Sequence, residues 1–319
     1  LKINIFKIFL VLLIALPLLT VAQTAPMFTQ YKNSQMFSNP AFAGMSEGIS
    51  INGLMRQQWA GFSDDDGNKV APQTFLISGD SPVKILHGGV GGSIIQDKSG
   101  FFSNVGLQLS YSFHLDLALG KLGIGAGINL INSSLDASKF ITAGGGNDDP
   151  ALNKGNESSM IFDANLGLFF RSPDRFYFGV SAANILETSA KKLTTESYSG
   201  IKNDRTFYLV AGYQYVLPNH PIFEIEPSIQ IISDIAATQY NLSAVVKYNN
   251  RFWGGLNYRF QESVGVIVGM SIKDFRIGYS YDVSTMAIGL PGSHEIHLGY
   301  IFKLDTDKSG TRYKNTRYL

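Results

Sequence analysis

Several stretches of this chain carry residue types from which binding and catalytic sites are built. Gly88-Gly89-Val90-Gly91-Gly92 has the glycine density of a phosphate-cradling loop. It lacks the Lys-Ser/Thr pair that completes such a loop and sits in a strand, so its glycines read as lumen and close-packing positions. Gly123-Ile124-Gly125-Ala126-Gly127 opens no helix and does not read as a dinucleotide site. Asp64-Asp65-Asp66-Gly67-Asn68 begins like a calcium loop. Lys69 and Phe75 stand where that loop needs Gly and Glu, which leaves a solvated surface loop. Of the five histidines only His294 and His297 are close, and three apart on a strand they face opposite ways. The chain has no cysteine, so disulfides and thiolate metal sites are excluded. No Ser-His-Asp set emerges from spacing. We read no catalytic, cofactor or metal residues, and the chain does not read as an enzyme.

The elements around these stretches alternate in twos. Tyr240, Leu242, Ala244, Val246 and Tyr248 oppose Asn241, Ser243, Lys247 and Asn249, with Val245 the one apolar exception. After Asn249-Asn250-Arg251 the pattern returns as Phe252, Gly254, Leu256, Tyr258 and Phe260. It restarts after Glu262-Ser263, after Lys273-Asp274, and at Ile296 through Phe302. Such alternation is a strand with one apolar face. The segments match the roughly 9–11 residues that a tilted strand needs to cross a bilayer. Aromatics stand at their ends and small or aliphatic residues in their middles, as at a lipid boundary. A soluble all-β domain would use strands of about 5–6 residues. Further strands are expected at 48–58, 72–79, 88–96, 102–113, 121–132, 159–171, 175–184, 205–217 and 222–232. The fold class is thus all-β: a transmembrane antiparallel β-barrel of about 14 strands, bounded by 12 and 16, with periplasmic N- and C-termini. A composition of 45% hydrophobic and 16% charged residues with 33 glycines suits a wall facing lipid outside and small residues inside.

Residues 1–22 read as a signal peptide: Lys2 and Lys7, an apolar run from Ile8 to Leu19, and a small-residue cleavage site at Thr20-Val21-Ala22. Residues 23–48 form an irregular periplasmic lead-in, 49–302 the outer-membrane barrel, and 303–319 a basic periplasmic tail. Lys2 and Lys7 carry two of the positive charges, so the chain from residue 23 has a net charge of −1. A near-neutral exported chain offers no general electrostatic case for nucleic acid. The longest connections, about 133–158 and 185–204, are expected outside the cell, and the short turns in the periplasm. Aromatics including Tyr111, Phe113, Phe170, Tyr248, Phe275 and Tyr300 fall at the expected periplasmic strand ends, giving the same orientation. Inward positions carry Arg56, Asp163, Arg171, Glu224, Glu226, Lys247, Arg259, Arg276, Asp282 and Glu295, which read first as wetted or paired groups bracing the wall.

Phe28-Thr29-Gln30-Tyr31, then Asn39-Pro40-Ala41-Phe42-Ala43-Gly44, then Arg56-Gln57-Gln58-Trp59 and Pro72-Gln73-Thr74 occur in that order. With the ending Gly292-Ser293-His294-Glu295-Ile296-His297-Leu298-Gly299-Tyr300-Ile301-Phe302, this pattern resembles the PorP/SprF family of the Bacteroidetes type IX secretion system. The 17 residues after Phe302 depart from barrels that stop soon after their last strand. The resemblance implies a protein of the cell outer membrane, set in its lipid. It would work with periplasmic secretion or gliding-motility machinery, or anchor a secreted cell-surface protein. The alternative is a passive porin or uptake channel. For partner binding we single out Tyr31, Phe37, Asn39, Pro40 and Phe42 of the lead-in with Arg312, Lys314 and Arg317 of the tail, expected to meet on the periplasmic rim.

Overall fold

The computed structural model describes residues 25–46, 48–63, 67, 69–136, 156–173, 176–188, 203–286 and 291–303. Period-two alternation is realised as β1 (Gly48–Gln57), β2 (Gln73–Val83), β3 (Gly88–Ser99), β4 (Phe102–Leu117) and β5 (Gly120–Asp136). Then come β6 (Asn156–Arg171), β7 (Phe176–Ala183), β8 (Thr206–Tyr213), β9 (Tyr215–Val216) and β10 (Phe223–Ser233). The last are β11 (Thr238–Tyr248), β12 (Phe252–Arg259), β13 (Ser263–Ile272), β14 (Phe275–Ser284) and β15 (Ser293–Lys303). β8 and β9 are two pieces of one stave, both paired with β10 in a single register. Pro227 of β10 lies between the two paired stretches and has no N–H to continue the ladder. The wall therefore has 14 staves. β15 pairs back onto β1 from Lys303–Gly48 to His294–Gln57, so the sheet closes without an edge.

Every neighbouring pair is antiparallel and consecutive, so the connections alternate between two ends of the barrel. One end has short turns at 84–87, 118–119, 172–175, 217–222, 249–251 and 273–274. In the three-residue turn 249–251, Asn249 and Asn250 both take φ of 51°, the left-handed conformation that asparagine tolerates better than most residues. At the opposite end lie the strand ends between which the sequence is longest, from Gln57 to Gln73, from Asp136 to Asn156 and from Ala183 to Thr206. In outer-membrane barrels the short-turn end is periplasmic. Aromatics, however, ring both ends. Phe275 stacks near Tyr300 at 4.4 Å at the short-turn end, while Tyr240 and Tyr258 flank Phe260 at the other. Two girdles mark two interfaces, so loop length alone carries the orientation.

The outer face is a continuous band of exposed aliphatic side chains, among them Ile77, Leu109, Leu166, Val246, Leu256 and Val268. Their sequence neighbours point inward: Lys247 reaches Glu226 at 2.5 Å, and Gly269 faces the Trp253 ring. An arginine placed at mid-membrane on the lipid face costs about 2–4 kcal/mol. Val246→Arg is therefore expected to impair assembly, while Lys247→Arg leaves it near wild type. Heat-modifiability on gels reads the difference, and equal tolerance of the two would mean the faces are exchanged.

Candidate functional site in the plugged lumen

A 14-stave wall encloses more space than its own inward side chains fill. Residues 25–46 occupy that space. They form three short helical turns, Tyr31–Ser34, Gln35–Ser38 and Pro40–Phe42. Asn39 stays extended at φ −142°, ψ 112° because the proline after it excludes the helical region. Its side-chain Oδ1 then accepts from Ala41 N–H at 2.9 Å and starts the third turn.

The segment is latched in the long-loop half of the lumen. Glu295 accepts the backbone N–H groups of Thr29 and Gln30, each at 2.8 Å, and Thr29 Oγ1 donates to Asp282 at 2.5 Å. Arg56 of β1 binds the same two carboxylates, at 2.7 Å to Asp282 and 3.2 Å to Glu295. Arg259 pairs with Glu262 at 2.7 Å beside them. Arg56, Asp282 and Glu295 are all at most 3% exposed, so each charge depends on the others for what water would otherwise supply. Further along, Tyr31 shares a 2.7 Å hydrogen bond with Ser228, and Lys32 pairs with Glu226. Burial raises the Tyr31 phenol well above its ordinary pKa, so it stays neutral.

Two small apolar cores seat the segment. Phe28 packs with Leu54 and Leu76 of the wall, joined by Phe37 and Ile95. Tyr31, Ala41 and Met45 pack with Phe169 and Val210, joined by Phe42 and Tyr177. On that side the wall has no room for side chains. A Cβ on Gly125 would lie 2.2 Å from Ala41 N, and one on Gly89 would lie 2.4 Å from Gly44 Cα. The glycine runs of β3 and β5 are thus a trough for a second backbone, which deepens the close-packing reading of Gly88–Gly92 and gives Gly123–Gly127 a role that the sequence reading did not assign. Asp163, fully buried, accepts from the N–H groups of Leu186 and Thr188 and draws the start of the 184–205 connection inward.

These contacts change the place expected for the lead-in. Tyr31, Asn39 and Pro40 are buried inside the barrel, not displayed on a periplasmic rim. Asn39 donates to the carbonyls of Leu168 and Val180. Phe37 and Phe42 are half-buried, and Phe42 meets Phe169 edge-on at 5.1 Å. The physical reason is the unfilled lumen: its apolar floor and spare carboxylates hold these groups better than water does. Arg312, Lys314 and Arg317, and the acidic stretch 64–66, lie outside the described residues. The Arg56–Asp282–Glu295–Thr29 latch was missed as a unit. The glycines at Gly123, Gly125 and Gly127, one face of a strand cleared of side chains, were the signal that something packs there.

Beneath the plug, toward the short turns, are two cavities. One of about 370 Å³ opens between Lys32, Phe42, Arg171, Tyr177, Arg276 and Lys303. The other, about 470 Å³, runs beside Thr29–Asn33 against Glu226, Lys247, Trp253 and His297. Among the described residues no group of three or more potential metal ligands is gathered, and no helix is long and apolar enough to cross a membrane.

Comparison with known proteins agrees with this architecture. The chain resembles the crystal structure of the Ralstonia pickettii toluene transporter TbuX, with a TM-score of 0.50 at 15% identity over 85% of this chain and 94% of that one. It also resembles the CymD monoaromatic hydrocarbon channel, with a TM-score of 0.51 at 13% identity over 85% and 93%. At such identities the likeness is one of fold. No curated protein sequence matches the chain. The family model described as "Type IX secretion system membrane protein PorP/SprF" matches residues 20–300. Closed barrel, lipid-facing band and family match together place the protein in the outer membrane, and the chain belongs to the PorP/SprF family of type IX secretion system membrane proteins.

Proposed function

We propose that this protein serves the type IX secretion system by holding protein partners at its extramembrane ends, not by passing solutes through its lumen. Those partners are periplasmic secretion or gliding machinery, or a secreted cell-surface protein that it anchors. The observation that carries this reading is the plug. Residues 25–46 cross the lumen and are fastened to opposite walls by a buried ionic latch and two apolar cores. A conducting pore would keep that space open, whereas an adaptor gains a rigid platform from filling it. The fold likeness to a toluene transporter and a hydrocarbon channel concerns the barrel, and those transport roles belong to those proteins.

The tail is the docking element that remains after the lead-in is placed inside. It leaves the barrel after Lys303, at the short-turn end, and carries Arg312, Lys314 and Arg317. From Lys303 onward its side chains sum to +3. Rim cations act mainly on encounter rate and specificity. Deleting 304–319 is expected to leave a heat-modifiable barrel but to lower recovery of periplasmic partners in affinity purification from native membranes several-fold at low salt, the difference shrinking as salt is added. Unchanged partner recovery and unchanged surface display of the client would remove the tail from the mechanism.

A further inference from the structure

We propose that the short-turn mouth of the lumen is itself a binding site, and that its ligand is an acidic polypeptide segment with apolar side chains between its carboxylates. The proposal deepens the adaptor reading and rests on it, because it gives the chemistry of one partner. The 370 Å³ cavity at this mouth is lined by Lys32, Arg171, Lys273, Arg276 and Lys303 against a single carboxylate, Asp274. Two of these cations are already matched: Lys303 by Asp274 at 3.1 Å, and Lys32 by Glu226. The two arginines are not. Arg171 donates to the Met45 carbonyl at 3.0 Å, and Arg276 reaches Asn52 Oδ1 only at 3.4 Å. Neither forms a salt bridge among the described residues, and the Arg276 Nε is buried without a partner.

Asp80, buried on β2, accepts from Gly44 N–H and Ser46 Oγ and forms no salt bridge with either arginine among the described residues. Guanidinium groups short of acceptors on a cavity wall are good sites for carboxylates, which they bind in a planar fork. The same cavity has an aromatic side made of Phe42, Phe169 and Tyr177, with Phe169 stacked on Tyr177 at 6.0 Å. A small inorganic anion would use the arginines and leave these rings idle. A peptide with alternating carboxylates and apolar side chains uses both. The chain's own tail is the wrong occupant by charge, since Lys308, Arg312, Lys314 and Arg317 outnumber Asp305 and Asp307.

The test uses the full-length protein in lipid nanodiscs and fluorescein-labelled Glu-Leu-Glu-Glu-Phe-Glu, read by fluorescence anisotropy at low salt. Saturable binding is expected, weakened by added salt. The analogue with Lys for every Glu should not bind, and the analogue with Ser for Leu and Phe should bind several-fold more weakly. Arg171→Gln with Arg276→Gln should weaken binding at least about tenfold. Because Arg171 also ties down Met45, the single variant Arg276→Gln, checked for wild-type heat-modifiability, carries the test alone at about fivefold. Arg251→Gln, an exposed cation on a turn at the same end but outside the cavity, should change affinity less than about twofold. Absence of binding, an unaffected Arg276→Gln variant, or an equal loss in Arg251→Gln would each overturn the site. So would a chain ending at Lys303 that binds tenfold more tightly, since the tail would then be the occupant. Partner recovery from native membranes stays an independent readout, so this site can fail while the adaptor reading stands.

Discussion

Replacing Arg56 with alanine is expected to destabilise the barrel by about 3–5 kcal/mol, the cost of removing one partner from a buried ion cluster. Arg56 lies between Asp282 and Glu295, both essentially sealed from solvent. Without it two carboxylates would share the site with only Thr29 and the Thr29 and Gln30 N–H groups as donors. One carboxylate must then take up a proton, or the plug must lift so that water enters. Both routes lower the unfolding midpoint in denaturant. The second also exposes the segment before Tyr31 to added protease while the strands persist. Adding Asp282→Asn to Arg56→Ala should restore part of the loss, because it removes one of the stranded charges. A loss below about 1 kcal/mol, the range of exposed ion pairs, would show that the cluster is wetted and holds nothing.

Gly125→Val is expected to expel the plug and open the lumen. The added Cβ alone would stand 2.2 Å from Ala41 N and 2.4 Å from Ala41 Cα, closer than any side chain approaches a backbone. Ala41 cannot step aside: its N–H is capped by Asn39, and its carbonyl accepts from Ser112 Oγ at 2.9 Å. Overpacking of a fitted core costs about 1–3 kcal/mol where neighbours can shift, and here the neighbour is backbone. In planar bilayers the wild-type protein should show no steady open-pore conductance, and Gly125→Val should show it. Gly53→Val is the control, since its Cβ would meet only the Leu298 carbonyl, at 3.9 Å. Steady conductance in the wild type would end the adaptor reading in its closed form. A silent Gly125→Val protein that still folds would mean the plug seats elsewhere.

The wall was legible because its cause is local. Each strand meets lipid on one face, so Tyr240, Leu242, Ala244, Val246 and Tyr248 announce both the strand and the side on which it faces the membrane. Turn residues such as Asn249-Asn250 set where it reverses. Two kinds of difference from expectation remain: the strand expected at 205–217 is interrupted at Gln214 into β8 and β9, and β4 and β5 run on to Leu117 and Asp136, where they pair with each other beyond the expected bounds.

What alternation along single strands determined is a membrane barrel with its lipid face and an interior charge set including Arg56, Asp282 and Glu295. What only the tertiary structure decided is the content of the lumen. Residues 25–46 have no period of their own, and nothing local tells Tyr31 or Phe42 whether water or a barrel interior surrounds them. Their burial follows from contacts far apart in sequence, such as Thr29 with Glu295 and Ala41 with Gly125. Those contacts exist only once the strands have closed a ring, because a carboxylate on β15 and a glycine on β5 become two walls of one chamber through the closure itself.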